Sequence, residues 1–309
     1  MGTGLNRPVV QPGKHKMQKL NKHFLLAVSD DASLQYGARF LGYFFHNRPE
    51  IRVDLLNIAY NPQKTMAEPG DPTPHQTTHM QHASLEKGKL ALQAAREKLE
   101  GYGFAPDSLK TDLRMQTFST VQDLVSYGRK GLYDSLVLGH RGTSMLENLV
   151  QDSISSKLMH QECEIPLWIC REPVRAKKNI LICTDGSQAS LGAADHAGFI
   201  LSGEPEHDIT VLHVAGSGSQ ADREKIMNST LERLQDNNID QERITTKSLD
   251  RADAARTILD YARENSFAVI AMGRTERNKS PGRLGRFFMG SVSEKVFKHF
   301  RQASLWIHH

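Results

Sequence analysis

Residues 272–300 read MGRTERNKSPGRLGRFFMGSVSEKVFKHF. The apolar run Phe267–Met272 leads into Gly273, a loop rich in Gly and Arg follows, and Gly290-Ser291 opens an amphipathic segment, Val292–Phe300. That order predicts a strand, a glycine loop and a helix N-terminus. A helix start offers unpaired backbone N–H groups and a partial positive charge, which suits an anion such as phosphate. Glycine matters there because a Cβ would keep the backbone away from the ligand.

The stretch has an imperfect copy earlier in the chain. Leu136-Val-Leu-Gly139 matches Ile270-Ala-Met-Gly273, 134 residues on, and Asp152-Ser-Ile-Ser-Ser-Lys157 matches Gly290-Ser-Val-Ser-Glu-Lys295, 138 on. Leu167-Trp-Ile-Cys170 matches Leu305-Trp-Ile-His308, also at 138. Upstream, Phe24-Leu-Leu-Ala-Val28 matches Ile180-Leu-Ile-Cys-Thr184, and Val53–Ile58 matches Ile209–Val214, both at 156. Five matches in one order make the chain a tandem duplication. The fall from 156 to 134 places 22 extra residues in the first half, largely within Asn61–His82. With four prolines and many polar residues, that segment is expected to be a long loop. The rise to 138 gives the second half a glycine loop four residues longer.

Composition narrows the class. A chain of 309 residues suggests two domains. An apolar fraction of 39% and a charged fraction of 24% are those of a globular protein. A net charge of +4 is too small over this length to argue for nucleic acid, and no apolar run approaches the ~20 residues of a membrane span. Residues 1–20 are expected to form a disordered tail rather than a signal peptide. Cys163, Cys170 and Cys183 have no metal-like spacing and read as buried, reduced thiols of a cytoplasmic protein.

Within each half, strand-like and helix-like segments alternate. In the first they run as strand 24–28, helix 33–47, strand 52–58, helix 84–101, strand 110–116, helix 120–130, strand 133–138, helix 149–161 and strand 165–170. In the second they run as strand 180–184, helix 189–201, strand 208–214, helix 221–237, strand 243–248, helix 252–265, strand 267–272, helix 291–301 and strand 304–308. Strands alternating with helices argue for parallel sheets covered on both faces, hence two five-stranded doubly wound α/β domains, 21–172 and 178–309. The charged segment Arg171–Lys178 is the expected linker.

Each half resembles a domain of the universal stress protein family, over nearly all of 21–309. The residues that carry the resemblance are Thr184-Asp185-Gly186-Ser187 after the first strand, Val211-Leu-His-Val214 at the second, and the glycine loop. In ATP-binding members that loop reads G-x2-G-x9-G-(S/T). The resemblance implies an adenine-nucleotide α-hydrolase-like fold with strand order 3-2-1-4-5, and a ligand at the point where that order reverses.

Carried onto the second half, the family pattern implies that Asp185 reads the adenine and ribose side and that Val214 packs on the adenine. Gly273 is the first loop glycine. Gly290 and Ser291 stand at the triphosphate, with Val292 and Ser293 supplying the next N–H groups. The second loop glycine is missing: Glu276 stands in its place, and Gly282 and Gly285 are the two candidates to serve instead. Arg274, Arg277, Lys279, Arg283 and Arg286 either help hold a polyanion or form a solvated surface. The first half keeps the spacing from Gly139 through Gly142 but has Asp152 where Gly290 stands, placing negative charge where a phosphate would approach. Asp152 would serve equally as a helix cap. Constant register sets Ser29 opposite Asp185, and a one-residue slip would restore Asp30 to that role. The first nucleotide site is therefore expected to be degenerate and the second nearly intact.

Other patterns carry less. His75, His79 and His82 have helix-face spacing but are expected on a mobile polar loop rather than a zinc site. Ser187 reads as a helix cap rather than a nucleophile. No nucleophile elbow, kinase set or H-E-x-x-H is present. Trp168 and Trp306 lie in the last strands, the edges through which the two halves are expected to pair as an internal pseudo-dimer, with a homodimer as a further option; alternatively each fills its own core.

Three functions stay open on this reading. The first is a stress-response regulatory protein that binds ATP, with Mg, in its second half and acts through conformation or an unknown protein partner, with at most slow hydrolysis. The second is a dimerisation or interaction scaffold of the same fold without nucleotide. The third is a nucleotidyl transferase or ligase, for which no catalytic motif is visible.

Overall fold

The computed structural model describes residues 22–31, 35–64, 73–140, 154–161, 163–175, 177–216, 219–274, 290–301 and 304–309. The expected tail 1–20, Gly142, Asp152, and the loop residues Glu276, Arg277, Lys279, Gly282, Arg283, Gly285 and Arg286 lie outside them.

The first half runs β1 (Lys22–Ala27), α1 (Tyr36–Phe44), β2 (Ile51–Ala59), α2 (Pro74–Gly101), β3 (Leu109–Met115), α3 (Thr120–Lys130), β4 (Ser135–Gly139), α4 (Ile154–Met159) and β5 (Leu167–Cys170). The second half runs β6 (Ile180–Thr184), α5 (Gln188–Leu201), β7 (Ile209–Ala215), α6 (Gln220–Asp236), β8 (Ile244–Asp250), α7 (Ala254–Glu264), β9 (Val269–Gly273), α8 (Ser291–His299) and β10 (Ser304–His308). The central strands of each half are nearly continuous apolar runs because helices cover both faces of the sheet.

Strand order is β3-β2-β1-β4-β5-β10-β9-β6-β7-β8. Each half keeps the expected 3-2-1-4-5 order, but the two five-stranded sheets are joined into one of ten strands. The join is antiparallel, with Leu167 opposite Ile307, Trp168 opposite Trp306 and Ile169 opposite Leu305. Every other pairing is parallel. Because Leu167-Trp-Ile169 and Leu305-Trp-Ile307 are the duplicated segments, the pairing is symmetric about the two tryptophans, as in an isologous interface. Their indoles stack with centroids 4.0 Å apart and planes 5° from parallel. Joining the last strands removes two exposed edges and buries both rings, at 0% and 1% exposure. Each side of the sheet then has an apolar core that runs through both halves. Phe24, Phe45, Trp168, Trp306 and Ile180 are on one side, and Leu25, Leu136, Ile169, Leu181 and Phe297 on the other.

Polar groups reinforce the junction. The buried Glu204 carboxylate accepts hydrogen bonds from the backbone N–H of His46 (2.9 Å) and Asn47 (3.0 Å) across the two halves. His207 places one ring nitrogen 2.8 Å from the Lys178 carbonyl and the other 2.9 Å from that of Phe44. Lys22, in β1, donates to the Ser202 carbonyl at 2.8 Å.

One expectation fails in this fold. The segment 61–82 is not a loop throughout: α2 begins at Pro74, ten residues before the expected Ser84. Thr73 and Gln76 form a reciprocal capping box, and Pro74 sits in the first helical turn, where a missing N–H costs nothing. Proline therefore marks a helix start there rather than a break. His75, His79 and His82 consequently lie on a helix, not on a loop.

Candidate functional site

The sheet order reverses beside β6, which pairs with β7 on one side and β9 on the other. Chains leaving the carboxyl ends of β6 and β9 diverge there to opposite faces and leave a crevice, the usual ligand position in doubly wound sheets. A cavity of about 270 Å³ occupies it. Asp185, Val214, Gly273, Gly290, Ser291, Val292 and Ser293 all line this one cavity. Gly282 and Gly285, the other two residues expected at the site, lie outside the described residues.

Local chemistry fixes the lip. Gly186 adopts a left-handed φ of +79°, and a Cβ there would meet Ile226 Cγ1 at 2.7 Å, so the turn after β6 requires glycine. The turn folds Asp185 back so that its Oδ1 accepts the Ser187 N–H at 3.0 Å. Burial is the largest single influence on Asp185 and opposes its ionisation. Hydrogen bonds from Ser187 and Ser190 together outweigh it and hold the carboxyl below the usual aspartate range. Ser187 caps α5 through the Ser190 N–H at 3.3 Å. Thr184 Oγ1 lies 2.9 Å from Thr230 Oγ1, and His213 Nδ1 lies 2.9 Å from the Thr184 carbonyl. These bonds tie β6 to α6 and β7 directly behind the cavity.

The opposite wall is the start of α8. No side chain caps this helix: Gly290 is its N-cap residue and carries none, and Ser293 Oγ instead donates to the Gly290 carbonyl at 3.1 Å. The first-turn N–H groups have no partner within the helix by geometry, and residues 290–293, which carry them, line the cavity. This arrangement can take an anion at one end and a flat apolar group against Val214, Leu212 and Met272 at the other.

Gly273 has a different reason from the one expected. A Cβ there would lie 2.3 Å from the Ala189 carbonyl carbon and 2.4 Å from the Ser190 nitrogen. Close packing of β9 on the start of α5 therefore demands glycine, with or without a ligand. Arg274 also departs from expectation. Its guanidinium is buried and donates to the carbonyls of Met159 (2.6 Å) and Gln161 (3.2 and 3.3 Å) in the first half, so it braces the two halves instead of facing a phosphate.

Several lining residues were not expected: Cys183, Thr184, Ser190, Leu212, Ala254, Ile258 and Met272. Cys183 and Leu212 sit two positions before Asp185 and Val214, on the same face of their strands, so strand alternation could have found them. Ala254 and Ile258 come from α7, and no local pattern marks them.

The first half has the corresponding crevice, larger at about 810 Å³ and lined by Ser29, Asp30, Asp31, Asn57, Lys87 and Gly139 among others. The Ala27–Leu138 and Cys183–Met272 pairings keep the register of the repeat, so Ser29 stands where Asp185 does. Asn57 takes the place of His213 and donates to the Val28 carbonyl at 2.9 Å, as His213 does to Thr184. Asn57 also holds Asp30 Oδ1 at 2.9 Å. Two carboxylates, those of Asp30 and Asp31, thus line this larger cavity.

Residues 177–306 match the model of the universal stress protein family. No curated protein sequence matches the chain. Among solved structures, a universal stress protein from Archaeoglobus fulgidus aligns over 94% of this chain and 97% of its own, at 17% identity and a TM-score of 0.64. A Pseudomonas aeruginosa protein described as functionally unknown aligns over 94% and 93%, at 14% identity and 0.55. A universal stress protein solved in complex with cAMP aligns over 43% of this chain and 97% of its own, at 22% identity and 0.35. At these identities the two full-length likenesses establish the fold, that of tandem α/β halves.

Proposed function

We propose that this chain, whose residues 177–306 match the universal stress protein family model and whose first half repeats the same fold, is a stress-response regulatory protein that binds an adenine nucleotide, ATP with Mg, in the second half. One observation carries this reading. Seven residues chosen from sequence, Asp185 to Ser293, line a single cavity closed by an uncapped helix start. Phosphates fit the first turn of α8, where Gly290 leaves the N–H groups open. The base fits against Val214, with Asp185 as hydrogen-bond acceptor for a donor group on the nucleoside. The residues present suit the group, and binding is the function they support; no catalytic base is assigned.

The first half, with its acidic crevice, serves as the structural partner in an internal pseudo-dimer. A cytoplasmic location agrees with three free, buried cysteines. No helix among the described residues is long and apolar enough to cross a membrane.

Isothermal titration of the full chain with Mg-ATP tests the proposal. The wild type is expected to bind one equivalent, and Gly290→Asp to lose it while melting at a similar temperature. A wild type that binds none supports the scaffold reading instead. Unchanged binding by Gly290→Asp places the nucleotide elsewhere.

A further inference from the structure

Helix α2 is oriented by its buried side. Thr77, Ser84, Gly88, Ala91, Ala95 and Leu99 are buried and pack towards the sheet. The rotation is pinned at the start of the helix as well. The Thr73–Gln76 capping box closes there, Thr77 Oγ1 donates to the Thr73 carbonyl at 3.0 Å, and Gln81 Nε2 donates to Asn61 Oδ1 at 3.0 Å. At 3.6 residues per turn, His75, His79, His82 and Glu86 fall within about 60° of arc on the opposite side. All four are exposed.

Nothing in the packing calls for imidazoles there. Neutral histidine is a good ligand for borderline divalent ions such as Zn²⁺, Ni²⁺ and Cu²⁺, and two histidines at i and i+4 on one helix face form a zinc-binding pair. Here the spacing provides such a pair, His75 and His79, with His82 three residues further on. Neighbouring Cβ atoms at these spacings are about 5–6 Å apart, within reach of two Zn–N bonds of about 2.1 Å. His79 stands between the other two and is common to both pairings. Glu86, one turn beyond His82, adds an oxygen ligand of matching charge.

A second His and Glu cluster shows what distinguishes this stripe. Ligand atoms of His46, Glu204 and His207 lie within 4.8 Å of one another. However, both His207 nitrogens face backbone carbonyls, and the Glu204 oxygens are taken by backbone N–H groups, so that cluster is engaged in joining the halves. The rings on α2 are not gathered within that distance, but as exposed side chains they can rotate onto a shared ion.

We propose that the exposed face of α2 formed by His75, His79 and His82 is a surface site for one divalent transition-metal ion of the Zn²⁺ class, with His79 at its centre. Water fills the remaining positions, which leaves the ion open to a further ligand. Because metal binds the helical arrangement better than the unfolded chain, it also raises stability by mass action.

The test is calorimetric titration of the full chain with ZnCl₂ alone, with melting temperature as a second readout. The wild type is expected to bind at micromolar concentrations and to melt higher with zinc. His79→Ala is expected to weaken binding at least tenfold. His160→Ala, at an exposed histidine just after α4 rather than on α2, leaves binding unchanged. Since His79 is exposed, its loss leaves the metal-free melting temperature where it was, so lost binding cannot be ascribed to unfolding. A wild type that takes up no zinc overturns the proposal, and so does a His79→Ala variant with wild-type affinity.

Discussion

Trp168 Nε1 donates to His196 Nε2 at 3.0 Å, from the last strand of the first half to a helix of the second. Indole N–H can only donate, so Nε2 is the bare nitrogen and the proton of this neutral imidazole sits on Nδ1. The internal symmetry of the chain places Trp306 opposite residue 40, which is Phe40. Its ring lies edge-on at 6.4 Å, and the Trp306 Nε1 has no hydrogen-bond partner. Two tryptophans related by duplication and stacked on each other therefore differ in satisfaction because one position of the repeat changed from acceptor to hydrocarbon, or the reverse.

His196→Phe makes the junction symmetric and leaves both indole N–H groups unmet. A stability loss of about 1–3 kcal/mol is expected, the cost of orphaning one buried donor. Urea unfolding of the two proteins at pH 7 measures it; equal midpoints and slopes would mean that water or a shift of the ring replaces the bond.

Acid should weaken the fold before the carboxylates titrate. Burial lowers the pKa of His196 to about 3, assisted by His308. Burial also takes His140 to about 4, with Arg171 and Arg301 adding to it. His207 is lowered to about 4, again chiefly by burial, although its two carbonyl neighbours pull the other way. In each case the folded value lies below the unfolded one, so the unfolded chain binds more protons between them. Stability is full above about 6.5, falls as pH drops, and stops falling on this account near 3–4, by up to about 1.4 kcal/mol per histidine per pH unit. Denaturant midpoints at pH 7, 6 and 5 test this; a flat profile contradicts it.

Gly273→Ala puts a methyl group against the backbone of Ala189 and Ser190. Neither can yield as a side-chain tip would, so a loss of about 1–3 kcal/mol is expected. Thermal melts of the ligand-free chain decide: an unchanged melting temperature would show that α5 can shift away from β9.

Arg274→Met separates bracing from ligand binding. Its guanidinium bonds to Met159 and Gln161 are charge-assisted and buried, and their removal should cost about 2–3 kcal/mol. Mg-ATP affinity is expected to stay within about a factor of three, under about 0.7 kcal/mol. A large loss of affinity with little loss of stability would return Arg274 to the phosphate side.

Much of this molecule is legible in its sequence because duplication and strand–helix alternation are local or repeated signals. The order of elements follows from apolar runs of period two and period 3.6, and the site residues from motifs at the ends of two strands. Asp185, Val214, Gly273 and Gly290–Ser293 could be named because the resemblance to the universal stress protein pattern assigns a role to the strand end or helix start that each occupies. Pro74 misled because proline stops a helix in its interior but starts one at its first turn, and only the Thr73–Gln76 pair tells the two apart.

What the sequence by itself determined is the repeat, its α/β alternation, and the strand ends at which a ligand crevice must open. Tertiary structure decided between the two readings left open for Trp168 and Trp306: the rings stack on each other and the last strands join the halves into one ten-stranded sheet. It also decided that Arg274 turns to Met159 rather than to the crevice, and that Ala254 and Ile258 complete the cavity. The physical reason is one of range. Backbone propensity and periodicity act over a few neighbours and leave their mark in the chain. The partner of a strand edge, or of a buried guanidinium, is chosen among groups more than a hundred residues away, by which arrangement pairs the most buried polar groups and removes the most apolar surface from water.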